Sequence, residues 1–256
     1  MTEHPAIQIH ATPHLFGAAP IATTLSAKIV VHVRDALFDG ALRPGDMLGT
    51  EGELTKRFGV SRIAVRDAMK RLEASGIVEI RAGAGGGARI ASGNPHLFAD
   101  ALAIQLNLMD VSAGEILDAQ RALEMMAAEL AAENAGIDDL QQIEALLAEA
   151  ETKLDDVDAY TRSCFAFHLA VADAARNRVL RVQLLSFRHV AWPVHNRTLT
   201  REVAEHVLDL HQGIYTLITS GDSEGARELM GRHLKEIRTR RVAENGETIP
   251  SPQACC

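Results

Sequence analysis

Aromatic residues, cysteines and long apolar runs are all scarce in this sequence. Aromatics make up 4% of its 256 residues, and since sheets favour aromatic and β-branched residues, the composition favours helices packed through alanine and leucine. The cysteines, Cys164, Cys255 and Cys256, are too few and too unevenly spaced for a disulfide framework, which indicates a reducing, cytoplasmic setting. No apolar run approaches the ~20 residues of a membrane span, and the first residues lack a basic-then-apolar signal pattern. We therefore expect a mainly α, cytoplasmic protein without a membrane partner.

Charge is divided unevenly along the chain, whose formal net charge is −8. Residues 26–92 carry 11 basic and 8 acidic side chains, whereas residues 93–256 carry 15 basic and 25 acidic ones. Because only the first of these segments is net positive, it is the one expected to approach a polyanion.

Capping residues, prolines and glycines divide the chain into four parts. Residues 1–25 are expected to be a disordered arm and residues 244–256 a disordered tail. Residues 26–92 form a small domain whose first helix is predicted to be capped by Ser26. Residues 93–243 show only helical periodicity, which predicts an all-helical antiparallel bundle. Its helices are predicted near 96–107, 113–134, 138–152, 156–175, 178–192, 200–219 and 223–243.

The small domain has the pattern of a winged helix-turn-helix. Two helices are predicted at 51–58 and 61–74, and the turn at 59–60 between them has the length and glycine content of that motif. Two short strands, at 77–80 and 88–91, would form a hairpin that lies on the DNA backbone.

The second helix of this motif carries a basic stripe. Arg62, Arg66 and Lys70 are spaced four apart, opposite an apolar face that includes Val65. Guanidinium groups on such a stripe fit phosphates or guanine edges, and the backbone N–H groups beside Ser61 suit a phosphate. The alternative is a solvated charged face, but the helix-turn-helix spacing and the hairpin favour a recognition helix.

Residues 53–78 closely resemble the winged helix-turn-helix of GntR-type bacterial transcription regulators. The resemblance implies that Arg62 and Arg66 contact operator DNA and that Ser61 contacts its backbone. Many members carry another DNA-contacting arginine at the position of Gly52, so this chain lacks that contact.

The missing arginine has two interpretations. Gly52 shifts the operator preference, or the neighbouring cations Lys56 and Arg57 compensate for it. Lys56, Arg57 and Lys70 are therefore included among the candidate DNA-binding residues.

Three histidines occupy inward positions on three different predicted helices. His168, His211 and His233 each lie among apolar residues at helical spacing. A bundle that directs several imidazoles inward can assemble a metal site with open coordination positions. The alternative for each is a hydrogen-bonded core histidine, because periodicity alone does not show that the three converge.

The second half of the chain resembles the FCD domain, the helical effector domain of the FadR subfamily. The resemblance implies dimerisation, a small-molecule effector and a divalent metal, zinc or nickel, held by His168, His211 and His233. Such domains add an aspartate ligand four residues before the first histidine, and this chain has Cys164 there. Cys164 is either a thiolate ligand or a small apolar residue that fills space. The matching segments are 121–124, 167–168, 177, 211–226 and 233–234.

Arg121 and Asn177 are the candidate effector-binding residues. Arg121 resembles a residue that faces the effector cavity in such domains, and a guanidinium beside an open-sided cation fits a small carboxylate. The alternative for Arg121 is a surface pair with Glu124 or Met125.

The leading hypothesis is therefore a homodimeric bacterial regulator that binds double-stranded operator DNA, a repressor released by a small carboxylate such as a sugar acid. A metal-dependent enzyme that uses the three histidines is the alternative, against which the chain shows no His-Glu base motif. A long-chain acyl site without metal is a third hypothesis, disfavoured by the inward histidines.

Overall fold

The computed structural model divides into two compact units, Met1–Leu97 and Phe98–Cys256. Within the described part of the chain, no helix is both long enough and apolar enough to cross a bilayer. The expected arm lies outside the described residues as far as residue 23, and the expected tail from residue 246 onward. The structure describes residues 24–83, 85–188 and 199–245.

The described residues of the first unit form three helices and a small sheet ahead of a fourth helix that starts at Pro95. Its first helix begins one residue before Ser26, because the hydroxyl of Thr24 caps it by accepting a hydrogen bond from the N–H of Ala27 at 3.1 Å. The prediction that Ser26 is the cap is therefore wrong; Ser26 is buried inside the helix and hydrogen-bonds Thr24. The elements are α1 Leu25–Phe38, β1 Met47–Gly49, α2 Glu51–Phe58, α3 Arg62–Ala74, β2 Val78–Arg81 and β3 Gly87–Ile90.

The sheet has a third strand that the sequence pattern did not predict. The order is β1-β3-β2 with antiparallel pairing, so β3 is the central strand. β1 is only three residues long, too short to show an alternating pattern. Gly87 of β3 permits the close approach of β1, because a Cβ at residue 87 would lie 2.9 Å from the carbonyl oxygen of Gly49 in β1.

One face of α3 packs into the core of the first unit. Val65, Ala68, Met69 and Leu72 are buried there, which confirms the predicted apolar face. α1 and the sheet cover them with Ile29, Val33, Leu48, Val78 and Ile90. Burial of each large aliphatic side chain stabilises the unit by about 1.5–3 kcal/mol, so this core holds the opposite face of α3 toward solvent.

The second unit is a bundle of long helices. α8 ends at Ser186 with Phe187 as its C-cap, whereas the sequence predicts a helix that continues to residue 192. Residues 189–192 lie outside the described part of the chain. α4, which begins just before the division between the units, is Pro95–Leu108. The others are α5 Ala113–Asn134, α6 Ile137–Glu151, α7 Val157–Ala174, α8 Arg178–Ser186, α9 Arg201–Ser220 and α10 Ser223–Asn245.

The long helices α5 and α10 run antiparallel. Glu129 pairs with Arg227 at 2.6 Å, whereas Asp118, earlier in α5, pairs with Arg238, later in α10, at 2.9 Å. α5 also contacts α7 and α9, and α6 packs against α7 and α9. These five helices thus surround one interior, and α7, α9 and α10 each place a histidine there.

Candidate DNA-binding surface and candidate metal centre

The start of α3 is held by a local cap. The hydroxyl of Ser61 accepts a hydrogen bond from the N–H of Ala64 at 3.3 Å. Arg62, Arg66 and Lys70 all lie exposed on α3, on the side away from its buried face. The basic stripe is thus available to a large anionic partner.

Arg66 is oriented by an acidic side chain that sequence reasoning missed. Its guanidinium donates to both carboxylate oxygens of Glu51 on α2, at 3.1–3.3 Å. The Arg66 side chain remains 66% exposed in this pair. An exposed ion pair of this kind contributes about 0.2–1 kcal/mol, so Glu51 restricts the direction of the guanidinium without withdrawing it from solvent.

The other candidate cations lie at the end of α2. Lys56 and Arg57 are exposed, and Arg57 donates to the backbone carbonyl of Leu48 at 3.4 Å. Gly52, in the first turn of α2, has no atom within 4 Å of the position its Cβ would occupy. The first atom of a side chain at residue 52 would therefore lie in open space.

The structure brings the three predicted histidines together. One ring nitrogen from each of His168 on α7, His211 on α9 and His233 on α10 lies within 4.8 Å of the other two. All three side chains are at least 98% buried. Among the described residues, this is the group of histidine, cysteine or acidic side chains whose ligand atoms are close enough to hold an ion.

The spacing of these nitrogens fits a metal better than a closed hydrogen-bond network. Nε2 of His233 lies 3.1 Å from Nε2 of His211 and 3.4 Å from Nε2 of His168. Two ligand nitrogens on a tetrahedral zinc ion lie ~3.3 Å apart, given Zn–N bonds of ~2.0–2.1 Å. Nε2 of His233 has either one hydrogen or one in-plane lone pair, so only one of its two contacts can be a full hydrogen bond.

His168 is supported by a buried acid. The carboxylate of Glu124 on α5 contacts Nδ1 of His168, and its other oxygen accepts a hydrogen bond from Nε2 of Gln120 at 2.6 Å. Glu124 is 1% exposed, so the surface pair of Arg121 with Glu124, weighed as an alternative, is wrong. A carboxylate that binds Nδ1–H leaves the Nε2 lone pair of His168 for a ligand.

Burial keeps the other two imidazoles neutral. The pKa of His211 is lowered well below its usual value by burial, and further by His233 and His168. The pKa of His233 is lowered well below its usual value by burial first and then by His168. Neutral imidazole is the form that binds first-row divalent metals, so the donor chemistry fits such an ion.

Cys164 lies on α7 one turn before His168 and is buried. It interacts with the hydroxyl of Tyr160, which donates to the backbone carbonyl of Ala204 at 2.7 Å. Burial first and then Cys164 raise the pKa of Tyr160, so this phenol stays protonated. The described ligand group consists of the three histidines without Cys164; that Cys164 fills space rather than ligating stays a prediction.

The candidate effector residues, Arg121 and Asn177, lie on α5 and at the start of α8. Arg121 is half-buried on α5, and its neighbours at helical spacing, Leu117, Glu124 and Ala128, are buried. The side-chain oxygen of Asn177 caps α8 by accepting hydrogen bonds from the next N–H groups, at 3.1 and 3.3 Å. Effector binding by Arg121 and Asn177 stays a prediction.

Comparison with known proteins follows the same division of the chain. Residues 25–87 match the model of bacterial regulatory proteins of the gntR family, and residues 115–236 match the FCD domain. The chain is 31% identical over 215 residues to the Uxu operon regulator of Haemophilus influenzae, covering 81% of this chain and 78% of that protein. It is 29% identical over 209 residues to the HTH-type transcriptional regulator LutR of Bacillus subtilis, covering 78% and 93%.

A solved structure shows the same fold. Streptococcus agalactiae GntR covers 84% of this chain and 99% of its own, with a TM-score of 0.58 and 21% sequence identity. The matched families and relatives are regulators of transcription, which gives the class of this protein. The chain belongs to the GntR family of bacterial transcription regulators, and its second unit is an FCD domain. The predicted fold class and family are thereby confirmed.

Proposed function

We propose that this protein is a homodimeric, ligand-responsive repressor that leaves its operator when a small carboxylate binds the helical unit. The observation that carries the proposal is the convergence of the buried His168, His211 and His233, whose nitrogens lie within 4.8 Å of one another. A DNA-binding unit alone would bind its operator constitutively, whereas a ligand site in the same chain supplies a signal. Action on operator DNA places the protein in the cytoplasm.

Recognition of DNA is assigned to the exposed face of α3. Arg62, Arg66 and Lys70 project there opposite a buried face, which is the arrangement a helix inserted in the major groove requires. Ser61 and the first N–H groups of α3 contribute a phosphate contact. A dimer would present two such helices to successive grooves of a palindromic site.

Recognition of the effector is assigned to the histidine cluster and its surroundings. A zinc or nickel ion held by His168, His211 and His233 would supply a positive charge with open positions for a carboxylate. Glu124 contacts the ring of His168, and Arg121, a half-buried residue, is the candidate second contact to the anion. Coupling of about 1–3 kcal/mol between this site and the DNA is enough to change operator occupancy substantially.

A thermal-shift screen tests the effector assignment. Sugar acids, hydroxy acids and dicarboxylates are added with and without chelator, since a ligand of the native state raises its melting temperature. A stabilising acid should lose its effect when the metal is removed or when His211 is replaced by alanine. Stabilisation that persists in both cases would refute a metal-bound effector.

A pair of arginine variants tests the DNA assignment. Arg66→Ala should weaken binding to DNA selected by the wild-type protein by at least tenfold, with little change in melting temperature. Arg201→Ala is the matched control, because Arg201 is also exposed and ion-paired, with Asp155 and Glu205, but lies in the helical unit. Equal DNA affinities of the two variants would refute the recognition helix.

A further inference from the structure

An isoleucine lies almost fully exposed in the first turn of the recognition helix. Ile63 is 82% exposed, directly after Arg62. Exposure forgoes the stabilisation that burial of an isoleucine would give, and β-branched residues are poor helix formers on an exposed surface. Folding of the first unit therefore gives no reason for isoleucine at this position.

The surroundings of Ile63 are polar and mainly cationic. It shares an open concave surface of about 460 Å³ with five charged side chains. A protein partner docks on a contiguous apolar patch, whereas here one aliphatic side chain lies among charged side chains, of which three are cationic. The charged residues of this surface are Glu51, Arg62, Arg66, Asp67 and Lys70.

The partner that fits this surface is anionic and offers isolated apolar groups. Duplex DNA has this chemistry, because the C5-methyl of thymine is the apolar group on its major-groove edge. Residue 63 lies three positions before Arg66 and therefore on a neighbouring part of the same helix face. The N-terminal residues of a recognition helix are also those that approach base edges.

We propose that Ile63 is a specificity-determining residue that packs on the C5-methyl group of a thymine in each half-site. The inference rests on the proposed operator binding and deepens it, since it assigns one base preference to one side chain. Arg62 and Arg66 position the helix, and Ile63 discriminates thymine from the other pyrimidine.

The experiment removes the methyl group alone. Duplexes are selected from a random pool by the full-length protein, and each thymine of the selected sequence is then replaced in turn by deoxyuridine, which keeps every hydrogen-bonding group of the base. For the wild type, one replacement per half-site should weaken binding about fourfold, the expected effect of one methyl-sized group. Ile63→Ala should bind the selected duplex more weakly and lose this sensitivity.

A matched variant controls for the loss of an exposed isoleucine. Ile137, at the start of α6 in the helical unit, is 75% exposed, and Ile137→Ala should respond to deoxyuridine as the wild type does. If DNA is selected but no thymine is methyl-sensitive, or Ile63→Ala keeps the sensitivity, the inference is overturned while operator binding stands. If no duplex is enriched, operator binding itself fails and the inference fails with it.

Discussion

The buried acid beside the histidine cluster provides the sharpest test of the metal centre. Glu124 is 1% exposed and shares its two oxygens between His168 and Gln120. We expect Glu124→Gln and Glu124→Leu to weaken metal binding although neither removes a ligand atom. The reason is that Glu124 holds the ring of His168 in the tautomer and orientation that direct Nε2 toward the ion.

The magnitude follows from what each variant leaves unsatisfied. Glutamine retains a hydrogen-bonding oxygen for Nδ1 of His168 but loses the charge, so the metal Kd should rise about tenfold, the lower end of the 10–100-fold range for such supporting partners. Leucine leaves both Nδ1 of His168 and Nε2 of Gln120 without their shared partner. Each unpaired buried group costs about 1–3 kcal/mol, so this variant should also lower the free energy of unfolding.

The protein is first stripped of metal with a chelator, and its Kd for Zn²⁺ is then measured by competition with a chromophoric chelator. Melting curves of the same samples report stability. Glu129→Gln is the matched control, because Glu129 lies on the same helix but pairs with Arg227 at the surface. Its metal Kd should equal that of the wild type. If Glu124→Gln and Glu129→Gln bind Zn²⁺ equally tightly, Glu124 is a packing residue and the proposed support of His168 is wrong.

Three further perturbations test other parts of the molecule. Gly52→Arg, whose side chain meets no atom within 4 Å at Cβ, should strengthen binding to any duplex and steepen the dependence of log K on log salt by about one; an unchanged slope would contradict this. In chelator, the urea midpoint should fall between about pH 7.5 and 5.5, since the lowered pKa values of His211 and His233 keep both neutral in the folded state while the unfolded chain takes up protons below 6.5. Below the pKa of the unfolded chain, the free energy of unfolding should fall by up to ~1.4 kcal/mol per pH unit for each histidine. A urea midpoint that does not change with pH would contradict this prediction. Cys164→Ser should leave the preference between Zn²⁺ and Ni²⁺ unchanged in chelator competition, because the histidine nitrogens gather without its sulfur; an altered preference would make Cys164 a ligand.

Much of the DNA-binding unit could be predicted because its signals are local. The cap at Ser61, the left-handed Gly59 that ends α2, and the apolar spacing of α3 act within a few residues of themselves. The error at Ser26 is equally local. Thr24 and Ser26 both carry a hydroxyl, and either fits the sequence pattern of a helix N-cap. The three-residue strand β1 was missed because its pairing partner, β3, lies about 40 residues later in the chain.

The supporting residues of both sites could not be predicted in the same way. Glu51 and Arg66 are 15 residues apart, and Glu124 and His168 are on different helices. An acidic residue in a helix is ordinarily solvated, which argues against burial of Glu124 on sequence grounds. The available signal for this pair was the four-residue spacing of Gln120 and Glu124. The same spacing is common on helix surfaces, so by itself it does not indicate a buried pair.

What the sequence alone determined was which residues form helices, which face of each is apolar, and that α3 carries a cationic stripe, since backbone propensity, capping and periodicity depend on neighbours within a turn or two. The packed fold was needed to show that His168, His211 and His233 meet, that Glu124 rather than a surface acid holds His168, and that Glu51 orients Arg66. Periodicity indicates that a side chain points inward, but not which inward side chains of other helices it meets. That is set by how the helices pack, and hence by distances between residues far apart in the chain.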